Sequence, residues 1–173
     1  MSTSKEYVIQ FAGLSSGEHL FELNVHDKFF ENLDYSEIKQ GNILVTLTLL
    51  KQSSMMVLHF DISGTVKVNC DHCAAEFDMP INGNYKLTVK VGGSDEDTDD
   101  DDIITIGVNE HKLDVSQYLY EYITLSLPIK REHVDKLTCD KEIVNKLDNF
   151  LVDEEKKEPI DPRWDGLKDI KLN

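Results

Sequence analysis

The sequence predicts an α+β fold: an antiparallel β-meander, forming a sheet or a partly open barrel, followed by two C-terminal helices. Three observations carry that expectation. Apolar residues recur with a period of two between Ile43 and Val91, the signature of strands with one buried face. The runs are short and are separated by Gly, Asn and Ser clusters, which reverse a chain at little conformational cost. Beyond Asp114 the repeat changes to the 3.6 residues of an amphipathic helix.

The elements follow in order. Residues 6–11 and 18–25 are short apolar runs on either side of Gly13 and Ser15-Ser-Gly17, and predict a strand pair. Asp27 to Tyr35, with Phe29, Phe30 and Leu33, suits one or two helical turns. Ile43, Val45, Leu47 and Leu49 then face one way, with Thr46 and Thr48 opposite. Lys51-Gln-Ser-Ser54 is a hairpin loop, after which Met56, Leu58, Phe60 and Ile62 repeat the pattern, and Val66, Val68 and Cys70 continue it past Gly64. Phe77, Met79 and Ile81 lead to Asn82-Gly-Asn84, read as a turn, and Tyr85, Leu87, Val89 and Val91 form the next strand. Ile103 to Ile106 resume the sheet. Asp114-Val-Ser-Gln117 has the form of a capping box, with the Asp114 side chain reaching the amide three residues on. Val115, Leu119, Tyr122 and Ile123 share one helical face, which Pro128 ends. A second helix starts at Asp140, with Ile143, Leu147, Phe150 and Leu151 on one side. Residues 1–158 thus make a single domain carrying an acidic loop at 94–102, and 159–173 a short tail containing Trp164.

Composition narrows the function. With 33 acidic and 18 basic residues the net charge is −15, and seven of the nine residues from Ser94 to Asp102 are acidic. Without those seven the chain still carries −8, a charge that repels bare nucleic acid. Contact with RNA therefore requires a local basic patch, for which Lys130 and Arg131 are the candidates, or a basic protein partner. No apolar stretch reaches the roughly 20 residues of a membrane helix, and the first residues lack a secretory apolar core, so a cytoplasmic protein is expected. Gly-rich phosphate loops, nucleophile elbows and H-E-x-x-H are absent; the expectation is a protein without enzymatic activity or small-molecule substrate.

Three cysteines, an odd number, do not make a disulfide framework. The Cys70-Asp-His-Cys73 spacing lets two thiolates reach one tetrahedral ion. Cys139 is the natural third ligand and His133 the natural fourth, with His72 a weaker fourth; the set would be a closed Cys3His structural zinc site. Two other readings stand beside it: three buried thiols that serve only as small apolar side chains, and a Cys70–Cys73 redox pair, which a strand-to-strand setting disfavours.

The segment Cys70-Asp-His-Cys-Ala-Ala-Glu-Phe77, together with Leu127-Pro-Ile-Lys-Arg-Glu-His133 and Cys139, resembles the YceD family. Its members carry a Cys-x-Arg-Cys knuckle followed by an aromatic residue, then an acidic helix running into Leu-Pro-x-x-x-x-His and a later Cys. Glu121, Leu125, Leu127, Pro128, His133 and Cys139 stand in the matching places. The likeness runs from about residue 40 to the C-terminus and includes the acidic insert and Asp161-Pro-Arg-Trp164. His72 replaces the knuckle arginine, which puts in doubt any phosphate contact that arginine makes. The resemblance implies a role in synthesis, processing or stability of large-subunit ribosomal RNA, with a large-subunit precursor, rRNA or a basic ribosomal protein as partner. A structural interaction module acting indirectly on rRNA is the alternative.

Overall fold

A computed structural model describes residues 5–92, 103–133, 135 and 138–150. Its centre is a five-stranded open sheet with no closed barrel, in the order β2-β3-β4-β5-β6, where β2 is Gly17–His26, β3 Gly41–Lys51, β4 Met55–Asn69, β5 Glu76–Val91 and β6 Ile103–Ile106. The alternation read from the sequence is the alternation of burial. Ile43, Val45, Leu47 and Leu49 of β3 are almost fully buried, as are Met56, Leu58, Phe60 and Ile62 of β4. Each such side chain contributes roughly 1.5–3 kcal/mol by leaving water, and the register follows because a one-residue slip would expose the whole set.

The sequence reading needs correction at four places. Residues 6–11 do not pair with 18–25. All ten residues of β2 pair with β3, from Gly17↔Lys51 to His26↔Asn42. The short strand β1, Val8–Ile9, pairs instead with β7, Leu113–Asp114. Tyr7, Ile9 and Phe11 are buried in the main core, and the Val115 amide donates to the Tyr7 carbonyl at 3.0 Å. Burial of that apolar run, and not a local turn, decides its partner.

Asn82-Gly83-Asn84 is not a turn. The strand β5 runs straight through it, with Asn82 opposite Ser63, Gly83 opposite Ile62 and Asn84 opposite Asp61. The inward series Phe77, Met79, Ile81, Tyr85 and Leu87 keeps one phase across it, as a continuous strand requires. A glycine stands at 83 because a Cβ would meet the Ser126 hydroxyl and the Tyr85 ring. The meander also ends on a parallel edge, since β6 runs alongside β5 with Thr88↔Ile103 and Val91↔Ile106. The acidic loop at 94–102 lies outside the described residues, as do Leu151 and the tail with Trp164.

The fourth difference concerns the helix α2, Ser116–Leu125. Asp114 Oδ1 accepts from the Ser116 amide at 2.9 Å and the Ser116 hydroxyl at 2.6 Å, two residues on and not three. Gln117 is engaged elsewhere, accepting from Tyr35 Oη and donating to Glu121 Oε1, both at 2.8 Å. The buried face is as expected: Leu119, Tyr122 and Ile123 join the main core. Tyr122 stacks on Tyr85 of β5 with centroids 4.6 Å apart and meets Phe60 edge-on at 5.1 Å. A short helix α1, Asp27–Glu31, buries Phe29 and Phe30 in the same core.

The last helix, α3, spans Lys141–Phe150. Asp140 caps it, its carboxylate accepting from the Glu142 amide at 2.9 Å. Its apolar side is largely open: Ile143 is half-buried, Leu147 is 43% exposed and Phe150 is 82% exposed. Among the described residues no helix is long and apolar enough to cross a membrane.

Candidate metal centre

The loop joining β4 to β5 is the cysteine knuckle, and backbone hydrogen bonds shape it. The Cys70 amide donates to the Ala75 carbonyl at 2.9 Å, and the Ala74 amide returns to the Cys70 carbonyl at 2.8 Å. That closure forces Ala74 into the left-handed region, φ 58°, which costs a residue with a Cβ about 1 kcal/mol. Ala74→Gly is therefore expected to raise stability by roughly 0.5 kcal/mol, after the greater flexibility of the unfolded glycine chain is allowed for. Urea unfolding checks this, and a loss above about 1 kcal/mol would contradict the assignment of strain.

The knuckle is latched onto the segment that follows α2. The Asp71 amide donates to the Arg131 carbonyl, and the Arg131 amide donates to Asp71 Oδ2, both at 2.7 Å. Arg131 Nε lies 3.5 Å from Asp71 Oδ1. Two residues further, His133 comes into the knuckle: its ring packs on Phe77 with centroids 4.4 Å apart, and its Nε2 is 3.5 Å from Cys73 Sγ. Cys139 arrives just before α3, and Val144 of that helix packs on the three sulfurs together with Ala75 and Phe77.

Four side chains thus converge. One ligand atom from each of Cys70, Cys73, His133 and Cys139 lies within 4.8 Å of all the others, with the three cysteines buried and the histidine half-buried. All three cysteines are free thiols. Around a tetrahedral zinc, with Zn–S about 2.3 Å and Zn–N about 2.05 Å, neighbouring sulfurs sit about 3.8 Å apart and a sulfur and nitrogen about 3.6 Å apart. The 3.5 Å from Cys73 Sγ to His133 Nε2 matches the second figure, and the 4.8 Å that bounds every separation exceeds the first, so the donors fit such an ion after the side chains draw together.

The electrostatics are those of a site prepared for a cation. Burial raises the Cys70 thiol, but the backbone amides of Cys73, His72 and His133 and the Cys73 side chain, all hydrogen-bonded to it, prevail and lower it to about 7. Cys139 is raised to about 11, first by burial and then by its hydrogen bonds with, and the charge of, Cys73 and Cys70. One thiolate forms readily and the last resists forming. A bound divalent cation removes that resistance, because it offsets the charge of neighbouring thiolates.

The candidate ligands read from the sequence are therefore brought together, and the competing histidine is not. His72 is exposed on the knuckle, outside the cluster, and His19, His26, His59 and His111 also lie outside it. The candidate basic pair divides: Lys130 is exposed, whereas Arg131 holds Asp71. That latch was missed in the sequence. Its only signal there was an acid inside the knuckle and a base two residues before His133.

The YceD family model, described as large ribosomal RNA subunit accumulation protein YceD, matches residues 58–171. The chain belongs to the YceD family. The match takes in β4 from Leu58 onward, the knuckle, both later helices and all four clustered side chains, and connects the chain with a family described by accumulation of large-subunit ribosomal RNA. No curated protein and no solved structure matches the chain.

Proposed function

We propose that this YceD protein is a non-catalytic, cytoplasmic factor supporting the synthesis, processing or stability of large-subunit ribosomal RNA, and that Cys70, Cys73, His133 and Cys139 hold a structural zinc ion within it. The family match over residues 58–171 carries the reading. The donor set supports the second part: three soft thiolates and an imidazole select zinc over harder cations. Four protein ligands complete its tetrahedron and leave no open position at which water or substrate is activated. The ion's task is to fasten the β4–β5 loop to the segment after α2 and to the start of α3.

The mode of action is binding. A net charge of −15 repels phosphate and attracts basic proteins, so the direct partner in a large-subunit precursor is a basic ribosomal protein, held until rRNA replaces the acidic surface. Two measurements test this. Depletion is expected to lower large-subunit rRNA relative to small-subunit rRNA, and the tagged protein to co-migrate with large-subunit precursors on a sucrose gradient. Unchanged rRNA ratios after depletion, or recovery of naked rRNA without ribosomal protein, would sink the reading.

A further inference from the structure

Beside the metal centre lies a groove of about 770 Å³, a size that takes a small ligand or a few residues of peptide. Its floor includes Ile38, Val68 and Leu127. One wall belongs to the latch, because Asp71 and Arg131 line it, so the ion that fixes the knuckle also fixes the groove. Tyr35 and Tyr120 also line it, and their rings meet edge-on at 5.2 Å. Tyr35 is 49% exposed.

The charges decide what the groove accepts. Of its three cations, Arg131 is paired with Asp71 at 3.5 Å and Lys67 with Asp78 at 3.4 Å. Glu37, Glu76 and Lys39 also line it, and none of the three makes an ion pair among the described residues. The unneutralised remainder is one negative charge, in a protein whose net charge is −15. A nucleic acid strand would place phosphates against Glu37 and Glu76, with Lys39 alone to meet them, in that field. A lysine or arginine would meet the same carboxylates and the electron-rich faces of two tyrosines.

We propose that this groove is a docking site for a cationic, Lys/Arg-rich peptide segment, with a basic side chain against Tyr35 and Tyr120 and its charge met by Glu37 and Glu76. That the segment belongs to a ribosomal protein rests on the function proposed above; the preference for a cationic peptide rests on the groove's own residues.

The test uses the full-length, zinc-loaded protein and fluorescence anisotropy of a labelled Lys/Arg-rich peptide at low salt, with a labelled single-stranded RNA as competitor. Glu37→Lys with Glu76→Lys is expected to weaken peptide binding about tenfold or more. Glu18→Lys with Glu22→Lys, an equal charge change at exposed positions of β2, is expected to stay within about twofold. Tyr35→Ala, at a half-exposed ring, weakens binding without altering zinc content. Equal losses in the two charge-reversal pairs would show attraction to net charge alone and overturn the site, as would tighter binding of RNA than of peptide. Cellular rRNA ratios separate the two proposals. Normal ratios on depletion, with groove-dependent peptide binding intact, remove the function and keep the site. Reduced ratios that the groove variants fully restore remove the site and keep the function.

Discussion

Cys73→Ser is expected to take the purified protein from about one zinc ion per chain to almost none and to release α3 and the segment around His133, while β3, β4 and β5 stay folded. The two effects separate because the molecule has two apolar clusters. The sheet core, from Tyr7 to Ile123, does not include the cysteines; Cys70, Cys73 and Cys139 form a cluster of their own with Ala75, Phe77 and Val144. Val144 is the α3 residue packed on that cluster, and the outer face of the helix leaves Leu147 and Phe150 exposed. A helix of 10 residues is too short to persist in water on its own. Without the ion its docking weakens by about 3 kcal/mol or more. Amide exchange should show α3 unprotected and the sheet unchanged. His72→Ala, at an exposed position outside the ligand cluster, should leave the zinc content as it was. A metal-free wild-type protein with a reducible Cys70–Cys73 disulfide would remove the structural centre and restore the redox reading.

What could be read in the sequence, and what could not, follows from the range of the interactions concerned. The alternation in β3 and β4 was legible because burial of one face repeats every two residues along the chain. The clustering of Cys70, Cys73, His133 and Cys139 was legible because so few residue types bind zinc, and Cys139 and His133 were the natural completions of the knuckle. The partner of β1 was not legible, since Tyr7 and Ile9 are held by Leu113 and Val115, about a hundred positions away. Nor was the course of β5 at Asn82-Gly83-Asn84. The same letters encode a turn and a strand pressed by a helix end, and only Ser126 packed over Gly83 distinguishes them. The cap of α2 failed for a shorter-range reason. The Ser116 hydroxyl competes for Asp114, and Tyr35 and Glu121 draw Gln117 away. The groove was invisible for the same reason as β1, because Tyr35 and Tyr120 are neighbours only in three dimensions.

The second large effect is expected at Gly64, in the middle of β4. It continues the inward series Ile62, Gly64, Val66 and pairs with Ile43 and Ile81. Here β3 passes so close that a Cβ would run into the Asn42 carbonyl oxygen and the Ile43 Cα. Both are backbone atoms of a strand hydrogen-bonded on both sides, so neither can turn aside as a side chain would. Gly64→Ala must therefore push β3 and β4 apart where Ile43 and Val66 are buried, and is expected to cost about 3 kcal/mol or more. Gly83→Ala is the internal comparison. Its Cβ meets the Ser126 hydroxyl and the Tyr85 ring, side chains that can rotate at the expense of their 3.1 Å hydrogen bond to each other, so its cost should stay near 1 kcal/mol. Urea unfolding of the zinc-loaded proteins ranks them: wild type, then Gly83→Ala, then Gly64→Ala by a wide margin. If Gly64→Ala unfolded at the wild-type midpoint, the close crossing of β3 over β4 would be wrong, and with it the unbroken 15-residue strand that carries Cys70 to the four-residue cluster.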